Sequence, residues 1–217
     1  MSDPLYYANE RHEVATLLPV NYRRVLEVGC GMGAFRSNLS GDHEYWGVEF
    51  SPAAAKQAAL CLDRVFTGTY DDVKDSLPDA YFDLVVCNDV IEHMSDHDSF
   101  LDSIMGKLTS NGFLVGSVPN VRSAGNLQAL LLRRDWQYAD SGVLDRTHLR
   151  FFTRGSWERS LLHHGFCIDV LEGINAGSGN VGRRQRLLDH LTAWVLGSDT
   201  RYLQFAFRAR PASSARG

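Results

Sequence analysis

The chain has 217 residues, of which 44% are hydrophobic and 22% are charged, and its formal net charge is −4. This composition is typical of one globular domain with a full core and excludes a disordered or fibrous protein. No apolar run approaches the roughly 18 residues of a membrane span, and the first residues lack the basic and apolar regions of a secretory signal. We therefore expect a cytoplasmic protein with no membrane span.

Charge is divided unevenly along the chain. Residues 1–119 contain 8 basic and 18 acidic residues, whereas residues 120–217 contain 14 arginines and 8 acidic residues. Arginine suits carboxylate and phosphate groups, so an anionic ligand is one interpretation, and a solvated arginine-rich surface is the other. No basic run is interleaved with aromatic residues, so no nucleic-acid partner is predicted.

The cysteines carry no sign of a cross-link or a metal site. Cys30, Cys61, Cys87 and Cys167 are far apart in the sequence and form no C-x-x-C pair. Three of them lie in or beside apolar segments, which indicates burial. Free thiols are therefore predicted, rather than disulfides or a zinc site.

The first two predicted elements are a helix over residues 9–18, where apolar residues recur at helical spacing, and a strand over residues 24–28. Gly29, Gly31 and Gly33 then predict a tight turn before a helix-compatible segment. Glycine reaches positive φ without strain and lets the backbone approach a ligand, and a helix N-terminus offers free N–H groups. This strand, turn and helix start predict a cradle for a cofactor.

Glu27 distinguishes this turn from a dinucleotide-binding fingerprint. That fingerprint is G-x-G-x-x-G, whereas this chain has G-x-G-x-G with Glu27 two residues before the first glycine. An acid there repels a pyrophosphate and suits a cationic or amino-bearing ligand. About twenty residues further on, Glu49 ends a second strand over residues 45–49, where a carboxylate can accept hydrogen bonds from both ribose hydroxyls.

Residues 25–33 together with Glu49 resemble the first motif and the second-strand acid of the class I S-adenosylmethionine-dependent methyltransferases. The other interpretation is a structural glycine turn in a different α/β protein. The resemblance implies S-adenosylmethionine as the cofactor, and a site that includes Glu27, Gly29, Cys30, Gly31, Gly33 and Glu49. It also implies that Tyr7 and Arg11 close over the methionine end, for which amphipathic packing is the alternative.

The adenine end departs from the family pattern. Phe50 directly follows the predicted ribose acid and could lie against adenine or serve as an ordinary core aromatic. In the resembled family, an acid just beyond the third strand, here residues 64–67, often receives the adenine amino group. Thr69 stands at that place in this chain. Backbone groups, Tyr70 or Asp71 are therefore the candidates for contacting adenine.

A second ligand-binding edge is predicted within residues 82–94. A continuous apolar run bounded by polar residues fits a buried parallel strand, and the carboxyl edge of such a sheet binds ligands. The segment resembles the family's fourth motif, which implies that Asn88 contacts the amino group of the cofactor and that Asp89 and Val90 line the cleft. His93 could accept a proton near neutral pH or orient the loop through hydrogen bonds.

Strands and helices alternate through the chain, which predicts an α/β fold with a doubly wound parallel sheet. The further predicted elements are helices at 53–62, 95–108 and 154–164, strands at 113–118, 166–171 and 202–208, and a helix at about 181–196. The resemblance implies a Rossmann-like, mostly parallel seven-stranded sheet with an antiparallel last strand and helices on both faces.

One methyltransferase domain is expected over residues 1–210, followed by a disordered tail at 211–217. The helix at about 181–196 is an addition to the resembled fold. It could form a homodimer or help to shape the acceptor site.

Residues 120–150 interrupt the alternation and leave from the ligand edge of the fifth strand, so they are expected to fold as a lid. Trp136 and Tyr138 could stack on a flat ligand face or anchor this insert to the core. The run at 144–153, together with residues 117–120, resembles a bacterial methyltransferase subgroup associated with glycan and polysaccharide assembly. That resemblance implies a glycan-type or small-molecule acceptor.

Methyl transfer to a hydroxyl is an in-line displacement in which the acceptor loses a proton. His148 is predicted as the base, with His93 as the alternative and Asp145 able to orient or replace His148, and no metal is required. Three arginines could bind an anionic acceptor: Arg122, Arg146 and Arg150. Pairing with Asp145 is the alternative for the last two.

Two other functions remain open from the sequence. A nicotinamide-dependent oxidoreductase has a similar fold, but the glycine spacing and Glu27 argue against it. A non-catalytic S-adenosylmethionine-binding scaffold or sensor would bind the cofactor without forming a product, and the departure at Thr69 leaves that interpretation open.

Overall fold

A computed structural model describes residues 10–177 and 182–212. Its seven strands are β1 (Arg24–Val28), β2 (Glu44–Glu49), β3 (Arg64–Thr67), β4 (Phe82–Asn88), β5 (Leu108–Pro119), β6 (Phe166–Ala176) and β7 (Tyr202–Pro211). They form one sheet in the order β3-β2-β1-β4-β5-β7-β6. Strands β1 to β5 pair in parallel, and β7 lies antiparallel between β5 and β6. The predicted fold class is confirmed.

The helices are α1 (His12–Ala15), α2 (Pro52–Ala58), α3 (Tyr70–Val73), α4 (His97–Lys107), α5 (Ala124–Gln128), α6 (Arg154–His163) and α7 (Arg183–Leu196). Local signals in the sequence set where several of them begin. Ser51 caps α2 and Pro52 occupies its first turn, while the Thr153 hydroxyl accepts a hydrogen bond from the Ser156 N–H at the start of α6. A 3-10 turn at Ala34–Asn38 follows the glycines.

Side chains of the central strands alternate between two cores, one on each face of the sheet. Leu26 and Val85 belong to one buried cluster, whereas Val25 and Leu84, their chain neighbours, belong to the other. Parallel strands that are covered by helices on both faces require this double burial. The sheet therefore holds the carboxyl ends of β1, β2 and β4 at one fixed edge.

The start of the chain differs from the prediction of a helix over residues 9–18. Helix α1 has only four residues, because Arg11 before it adopts a left-handed conformation with φ of 51°. Beyond its end, the Thr16 hydroxyl donates to the Glu13 carbonyl at 2.8 Å. Tyr7 lies outside the described residues.

The last strand extends further towards the end of the chain than predicted. Pro211 is the last residue of β7, and the Ala212 N–H donates to the Gly165 carbonyl at 2.8 Å. The predicted tail at 211–217 is therefore wrong for its first two residues. Residues 213–217 lie outside the described part, as do residues 178–181, where the extra helix was expected to begin.

The insert at 120–150 packs against α7, although the two are far apart in sequence. Gln128, at the end of α5, donates from Nε2 to Asp189 Oδ1 and Thr192 Oγ1, each at 3.0 Å. A π-helix at Ala129–Arg133 continues α5. The outer apolar residues of α7 are exposed, with Trp194 at 83%. None of the helices within the described ranges is long and apolar enough to cross a membrane.

Candidate functional site

The glycine turn after β1 is sterically specified. Gly29, Gly31 and Gly33 have φ angles of 74°, 54° and 82°. A Cβ atom on Gly29 would lie 2.3 Å from Val90 Cγ2, and one on Gly33 would lie 2.6 Å from Cys61 Sγ. A side chain at either position would therefore clash as well as strain the backbone.

Glu49 is held against this turn by backbone groups. Its Oε2 accepts a hydrogen bond from the Gly31 N–H, and its Oε1 accepts one from the Ser51 N–H, both at 2.8 Å. Each carboxylate oxygen keeps a further lone pair for a ligand hydroxyl. The neighbouring Phe50 is 73% exposed, so its ring is open to contact from a ligand.

Glu27 lies buried at the base of the turn. The Tyr45 hydroxyl donates to its Oε2 at 2.8 Å. Burial raises the pKa of the Glu27 carboxyl to about 8, against the opposing effect of the Tyr45 hydrogen bond. A cation placed beside this carboxyl would favour its ionised form, so the group is suited to a positively charged ligand.

Cys30 contributes to packing through its side chain and to the turn through its backbone. Its Sγ lies only 2.5 Å from where a Cβ on Gly47 would be, which places the thiol in the core. Burial accordingly raises the pKa of the thiol. Its N–H donates to the Val48 carbonyl at 3.1 Å, and its carbonyl accepts from the Gly33 N–H at 2.8 Å.

At the adenine end, the side chains of the candidate residues make contacts within the protein. Tyr70 is buried, and its hydroxyl is 2.8 Å from Ser103 Oγ in the core. Thr69 caps α3 in a reciprocal pair of hydrogen bonds with Asp72, and Asp71 forms an ion pair with a lysine one turn later. The backbone before α3 is engaged as well, since the Thr69 N–H donates to Asp72 Oδ2 at 2.9 Å.

The end of β4 presents a buried amide without a partner. Both the oxygen and the nitrogen of the Asn88 side chain are buried, and neither has a hydrogen-bond partner among the described residues. Leaving such a group unpaired costs about 1–3 kcal/mol. Together with the glycine cradle and Glu49, this amide fits a polar ligand that supplies the missing bonds.

Asp89, the next residue, fixes Arg11 in the cleft. Asp89 has φ of 52° and accepts hydrogen bonds from Ser117 Oγ at 2.8 Å and from Gln204 Nε2 at 2.7 Å. Arg11 forms an ion pair with Asp89 and donates to Ser117 Oγ at 2.8 Å. The network joins the start of the chain to β4, β5 and β7 at the ligand edge.

Glu92, His93 and His148 come together just beyond this network. The His148 Nε2 atom is 3.9 Å from Glu92 Oε1, and the two imidazole centroids are 4.8 Å apart. The Glu92 carbonyl accepts from the Leu149 N–H at 2.8 Å and from the Arg150 N–H at 3.0 Å. These backbone bonds fasten the end of the insert to the β4 segment and bring His148 beside Glu92.

Hydrogen bonds define which ring nitrogen of each histidine is free. His148 Nδ1 lies 3.1 Å from the Val143 carbonyl, and His93 Nδ1 lies 3.2 Å from the Thr147 carbonyl. A carbonyl oxygen only accepts, so each Nδ1 carries a proton, and Nε2 is the nitrogen with the lone pair when the ring is neutral. Burial lowers the pKa of His148, which keeps that ring neutral near pH 7.

Glu92 is fully buried, and neither carboxylate oxygen has a hydrogen-bond partner within the described ranges. Burial, reinforced by the charge of Asp89, raises the pKa of Glu92 well above its usual value. Asp145 does not orient His148, in contrast to the prediction. Its Oδ1 accepts from Thr147 N at 2.8 Å and from Thr147 Oγ1 at 2.7 Å, and the Val143 carbonyl orients the imidazole instead.

A cavity of about 1330 Å³ opens between this cluster, the insert and α7. Six acidic residues and three arginines line it: Glu13, Asp89, Glu92, Asp135, Asp145 and Asp189, with Arg11, Arg133 and Arg201. His148 also lines the cavity. The wall is therefore net acidic, which does not favour an anionic acceptor.

The predicted acceptor-binding residues lie elsewhere. Arg122 donates to Asp199 Oδ2 at 2.8 Å and anchors the insert to the segment after α7. The ring of Trp136 is 5.5 Å from that of Phe151, and the ring of Tyr138 is 6.5 Å from it. None of the three predicted residues lines the cavity. For Trp136 and Tyr138 these positions correspond to anchoring, the alternative that the sequence left open.

The remaining two arginines also face away from the cavity. Arg146 pairs with Asp140 at 2.8 Å on the surface. Arg150 donates to the backbone carbonyls of Leu149 and Ser95. Neither forms the expected pair with Asp145, because Thr147 occupies that carboxylate.

The sequence reasoning missed the polar side of α7. Gln185 and Asp189 line the cavity, and Gln185 Nε2 donates to Gln128 Oε1 at 2.7 Å. The signal was present in the spacing, because Gln185, Asp189 and Thr192 follow one another at i, i+4 and i+7 and so share a helix face.

Comparison with known proteins places the chain in a family. A family described as "Methyltransferase domain" matches residues 5–170. The mitochondrial ubiquinone biosynthesis O-methyltransferase of Schizosaccharomyces pombe is 31% identical over 100 residues, which cover 43% of this chain and 36% of that protein. The chain thus matches about a third of the length of this curated relative.

Solved structures of the same fold cover nearly the whole chain. An S-adenosylmethionine-dependent methyltransferase from Archaeoglobus fulgidus has a TM-score of 0.67 and 21% identity, covering 96% of this chain and 94% of that one. Another from Mesorhizobium loti has a TM-score of 0.61 and 19% identity, covering 93% and 97%. At these identities the likeness shows the fold.

The family match extends over more than half of the chain, and it agrees with the sheet order and the glycine cradle. A nicotinamide-dependent oxidoreductase and a non-catalytic scaffold are thereby set aside. The chain belongs to the class I S-adenosylmethionine-dependent methyltransferases, and its cofactor is S-adenosylmethionine.

Proposed function

We propose that this methyltransferase methylates a hydroxyl oxygen of a small or glycan-type acceptor that binds in the cavity between the insert and α7. The observation that carries the proposal is the position of His148, whose free Nε2 belongs to a residue lining that cavity. A hydroxyl needs such a proton acceptor, because it must lose its proton as the new carbon–oxygen bond forms.

The cofactor residues are assigned from the contacts at the sheet edge. Glu49, held by two backbone N–H groups, would accept hydrogen bonds from the ribose hydroxyls. The unpartnered amide of Asn88 would bind a polar group of the cofactor, and Glu27 would face its positive charge. Arg11, tied to Asp89, would close the methionine end.

S-adenosylmethionine supplies a methyl group that its sulfonium charge makes electrophilic. The chain's own residues have two tasks, which are to hold the acceptor oxygen in line with the methyl group and to remove its proton. His148 Nε2 would take the proton, since burial keeps the imidazole neutral near pH 7. His93, whose ring lies 4.8 Å away, is the second candidate base.

The acceptor class follows from the chemistry of the cavity wall. Carboxylates and side-chain amides, including Gln128 and Asn126, outnumber the arginines there. Such groups accept and donate hydrogen bonds to hydroxyls, which suits a neutral polyhydroxyl acceptor better than an anionic one. A glycan-type acceptor rests on the likeness of residues 144–153 to the polysaccharide-associated subgroup.

The test couples cofactor binding to product formation. Calorimetry with S-adenosylmethionine should show at least about tenfold weaker binding for Glu49→Ala than for wild type, because the ribose hydrogen bonds are lost. Glu158→Ala removes an exposed carboxylate on α6 and should bind like wild type. Equal affinity in wild type and Glu49→Ala would overturn the ribose assignment.

Turnover is measured as release of S-adenosylhomocysteine with a panel of sugars, catechols and hydroxy acids. We expect His148→Ala to keep its cofactor affinity and to lose turnover by about 100-fold or more, whereas the surface variant His163→Ala keeps both. Unchanged turnover in His148→Ala would remove this residue from the mechanism.

A further inference from the structure

The cluster of Glu92, His93 and His148 has the composition of a metal site. Each residue offers one ligand atom, and these atoms all lie within 4.8 Å of one another. Two segments supply them, since Glu92 and His93 follow β4 while His148 ends the insert. Two imidazole nitrogens and one carboxylate are a ligand set that proteins use for zinc and other divalent first-row metals.

Both histidines are prepared to bind through Nε2. In each ring Nδ1–H donates to a backbone carbonyl, Val143 for His148 and Thr147 for His93. Metal-binding histidines characteristically donate their other ring N–H in this way, which fixes the tautomer and turns the ring. The N–H and hydroxyl of Thr147 both donate to Asp145 Oδ1, so Asp145 fixes the residue whose carbonyl orients His93.

Glu92 supplies the second and independent observation. Its side chain is completely buried, and within the described part of the chain neither oxygen has a hydrogen-bond partner. His148 Nε2 is 3.9 Å from Glu92 Oε1, beyond hydrogen-bond distance. A purely structural carboxyl at this depth would be expected to form a hydrogen bond. A cation between Glu92 and the imidazoles would satisfy it.

We propose that Glu92, His93 and His148 bind one divalent first-row transition metal ion of the Zn²⁺ type. Ligand atoms around tetrahedral zinc lie about 3.4 Å apart, so separations of up to 4.8 Å in the cluster need to shorten by up to about 1.4 Å. His93 is only partly buried and has room to make that movement. Mg²⁺ and Ca²⁺ fit less well, because they prefer all-oxygen ligands.

The bound ion faces the cavity, because Glu92 and His148 both line it. Three protein ligands leave a tetrahedral position open for water or an acceptor oxygen. This role rests on the proposed O-methylation. The ion would lower the pKa of an acceptor hydroxyl bound to it, whose proton would pass to solvent, and the oxygen would bond to the methyl carbon as the carbon–sulfur bond breaks. With the ion bound, His148 would serve as its ligand and solvent would take the proton; without the ion, His148 keeps the role of base proposed above.

The test of binding does not depend on activity. Wild-type protein is treated with a chelator, dialysed against Zn²⁺ and analysed for metal content, and then titrated with Co²⁺ while the visible absorption of the ion is recorded. We expect one Zn²⁺ per chain and the visible absorption bands of Co²⁺ bound to nitrogen and oxygen ligands. Wild type without stoichiometric metal would overturn the proposal.

Variants assign the ligands. His148→Ala and His93→Gln should each weaken Zn²⁺ binding by more than about 100-fold. His163→Ala, which removes an exposed histidine on α6, should bind like wild type. Calorimetry with S-adenosylmethionine verifies that each variant is folded. The His93→Gln variant is included because His93 is less buried than His148, so its replacement disturbs the core less. If His163→Ala and His148→Ala bound Zn²⁺ with the same affinity, either as tightly as wild type or both more weakly, the assignment of His148 as a ligand would be overturned.

Two combined results separate this inference from the proposed function. Full turnover in chelator-treated protein that holds no metal would overturn the role of the ion in turnover and leave His148 as base. Stoichiometric Zn²⁺ bound through these ligands, with no product from any hydroxylated acceptor, would support the metal site and overturn the proposed O-methylation.

Discussion

The two walls of the central cleft satisfy their buried polar groups in different ways. On the cofactor wall, Glu49 already accepts two backbone hydrogen bonds and Glu27 accepts one from Tyr45. On the acceptor wall, the Glu92 carboxylate has no partner among the described residues. On the first wall the chain satisfies both carboxylates and leaves only the Asn88 amide for the cofactor, whereas on the second wall it leaves a buried carboxylate that a bound molecule or ion would complete.

The difference follows from how each wall is built. The cofactor wall comes from adjacent strands and a turn whose glycines leave no space for a Cβ. The acceptor wall joins segments from distant parts of the chain, as in the contact of Gln128 with Asp189 across 61 positions. Local geometry therefore determines the first wall, and tertiary packing determines the second.

The largest expected loss of stability comes from a substitution in the cofactor wall, at Gly29. Gly29→Ala should lower the free energy of unfolding by about 3 kcal/mol, because the new Cβ would strain a positive φ and overlap Val90. Urea denaturation provides the measurement. Gly125→Ala, in α5 with nothing within 4 Å of the new Cβ, should be neutral or stabilising by up to about 1 kcal/mol.

A second variant separates the two causes of that loss. Val90→Ala added to Gly29→Ala should recover the steric part and leave the backbone strain. If Gly29→Ala were as stable as wild type, the turn would not be sterically specified, and the contrast between the two walls would fail.

A smaller effect is expected at Glu27, and it depends on pH. Burial holds the folded pKa of this carboxyl at about 8, above the ordinary 4.5. Between these values the unfolded chain loses a proton that the folded chain keeps, so stability falls as pH rises. Glu27→Gln should therefore raise the free energy of unfolding by about 2 kcal/mol above pH 8 and by little near pH 4.5.

The measurement is urea denaturation of ligand-free wild type and variant at the two pH values. The same variant should bind S-adenosylmethionine more weakly, because it cannot become negative beside the cofactor. A stability difference that stays constant with pH would show that Glu27 does not titrate as described.

The acceptor wall is tested by two arginines that the sequence treated alike. Arg122→Ala should lower the free energy of unfolding by about 1–2 kcal/mol, because it leaves the partly buried Asp199 unpaired. Arg146→Ala should cost less than about 0.5 kcal/mol, since its pair with Asp140 is exposed. Thermal unfolding of both variants gives the comparison, and equal losses would contradict the anchoring role of Arg122.

The smallest effect lies outside both walls, between α6 and α4. Burial lowers the pKa of His164, but hydrogen bonds to Asp102 and Asp98 outweigh it and raise the pKa above 6.5. Its stabilising contribution is therefore complete below pH 6.5 and is lost as pH rises through the folded pKa. His164→Gln should lower stability by less than about 1 kcal/mol in acid and by nothing well above neutral pH.

Thermal unfolding on either side of neutrality measures this difference. The surface variant His163→Ala provides the reference for loss of a histidine. A loss for His164→Gln that grows as the pH rises would contradict the sign.

Much of the fold was predictable because its signals are local. The bounds of β3 and the end of β2 at Glu49 were predicted as the structure has them, and Ser51 followed by Pro52 marks the start of α2 in the sequence. Each depends on a few neighbouring residues, such as proline after a serine cap or a short run of β-branched and aromatic side chains.

The predictions failed where distant residues decide the local conformation. Arg11 was expected within a helix, but it binds Asp89 and reaches Ser117, 106 positions away, with a left-handed backbone. Tyr70 was one of three candidates for contacting adenine, and the structure adds that its hydroxyl contacts Ser103 in the core. Such contacts across the sheet leave no periodic pattern in the sequence.

The candidate site likewise contains residues that the sequence could predict and contacts that it could not. The glycines, Glu49 and Asn88 were identified from motif and strand position, and their geometry suits a cofactor. The orienting carbonyl of Val143 could not be predicted, because a backbone acceptor has no residue type that marks it.

The two backbone hydrogen bonds to the Glu92 carbonyl have one more consequence. They hold His148 next to a carboxylate that belongs to a different part of the chain. If the end of the insert moved away, those bonds would break and the three-residue cluster would come apart. Acceptor entry and assembly of the reactive groups would then be a single event, so the groups that act on the acceptor would form only once the cleft has closed around it.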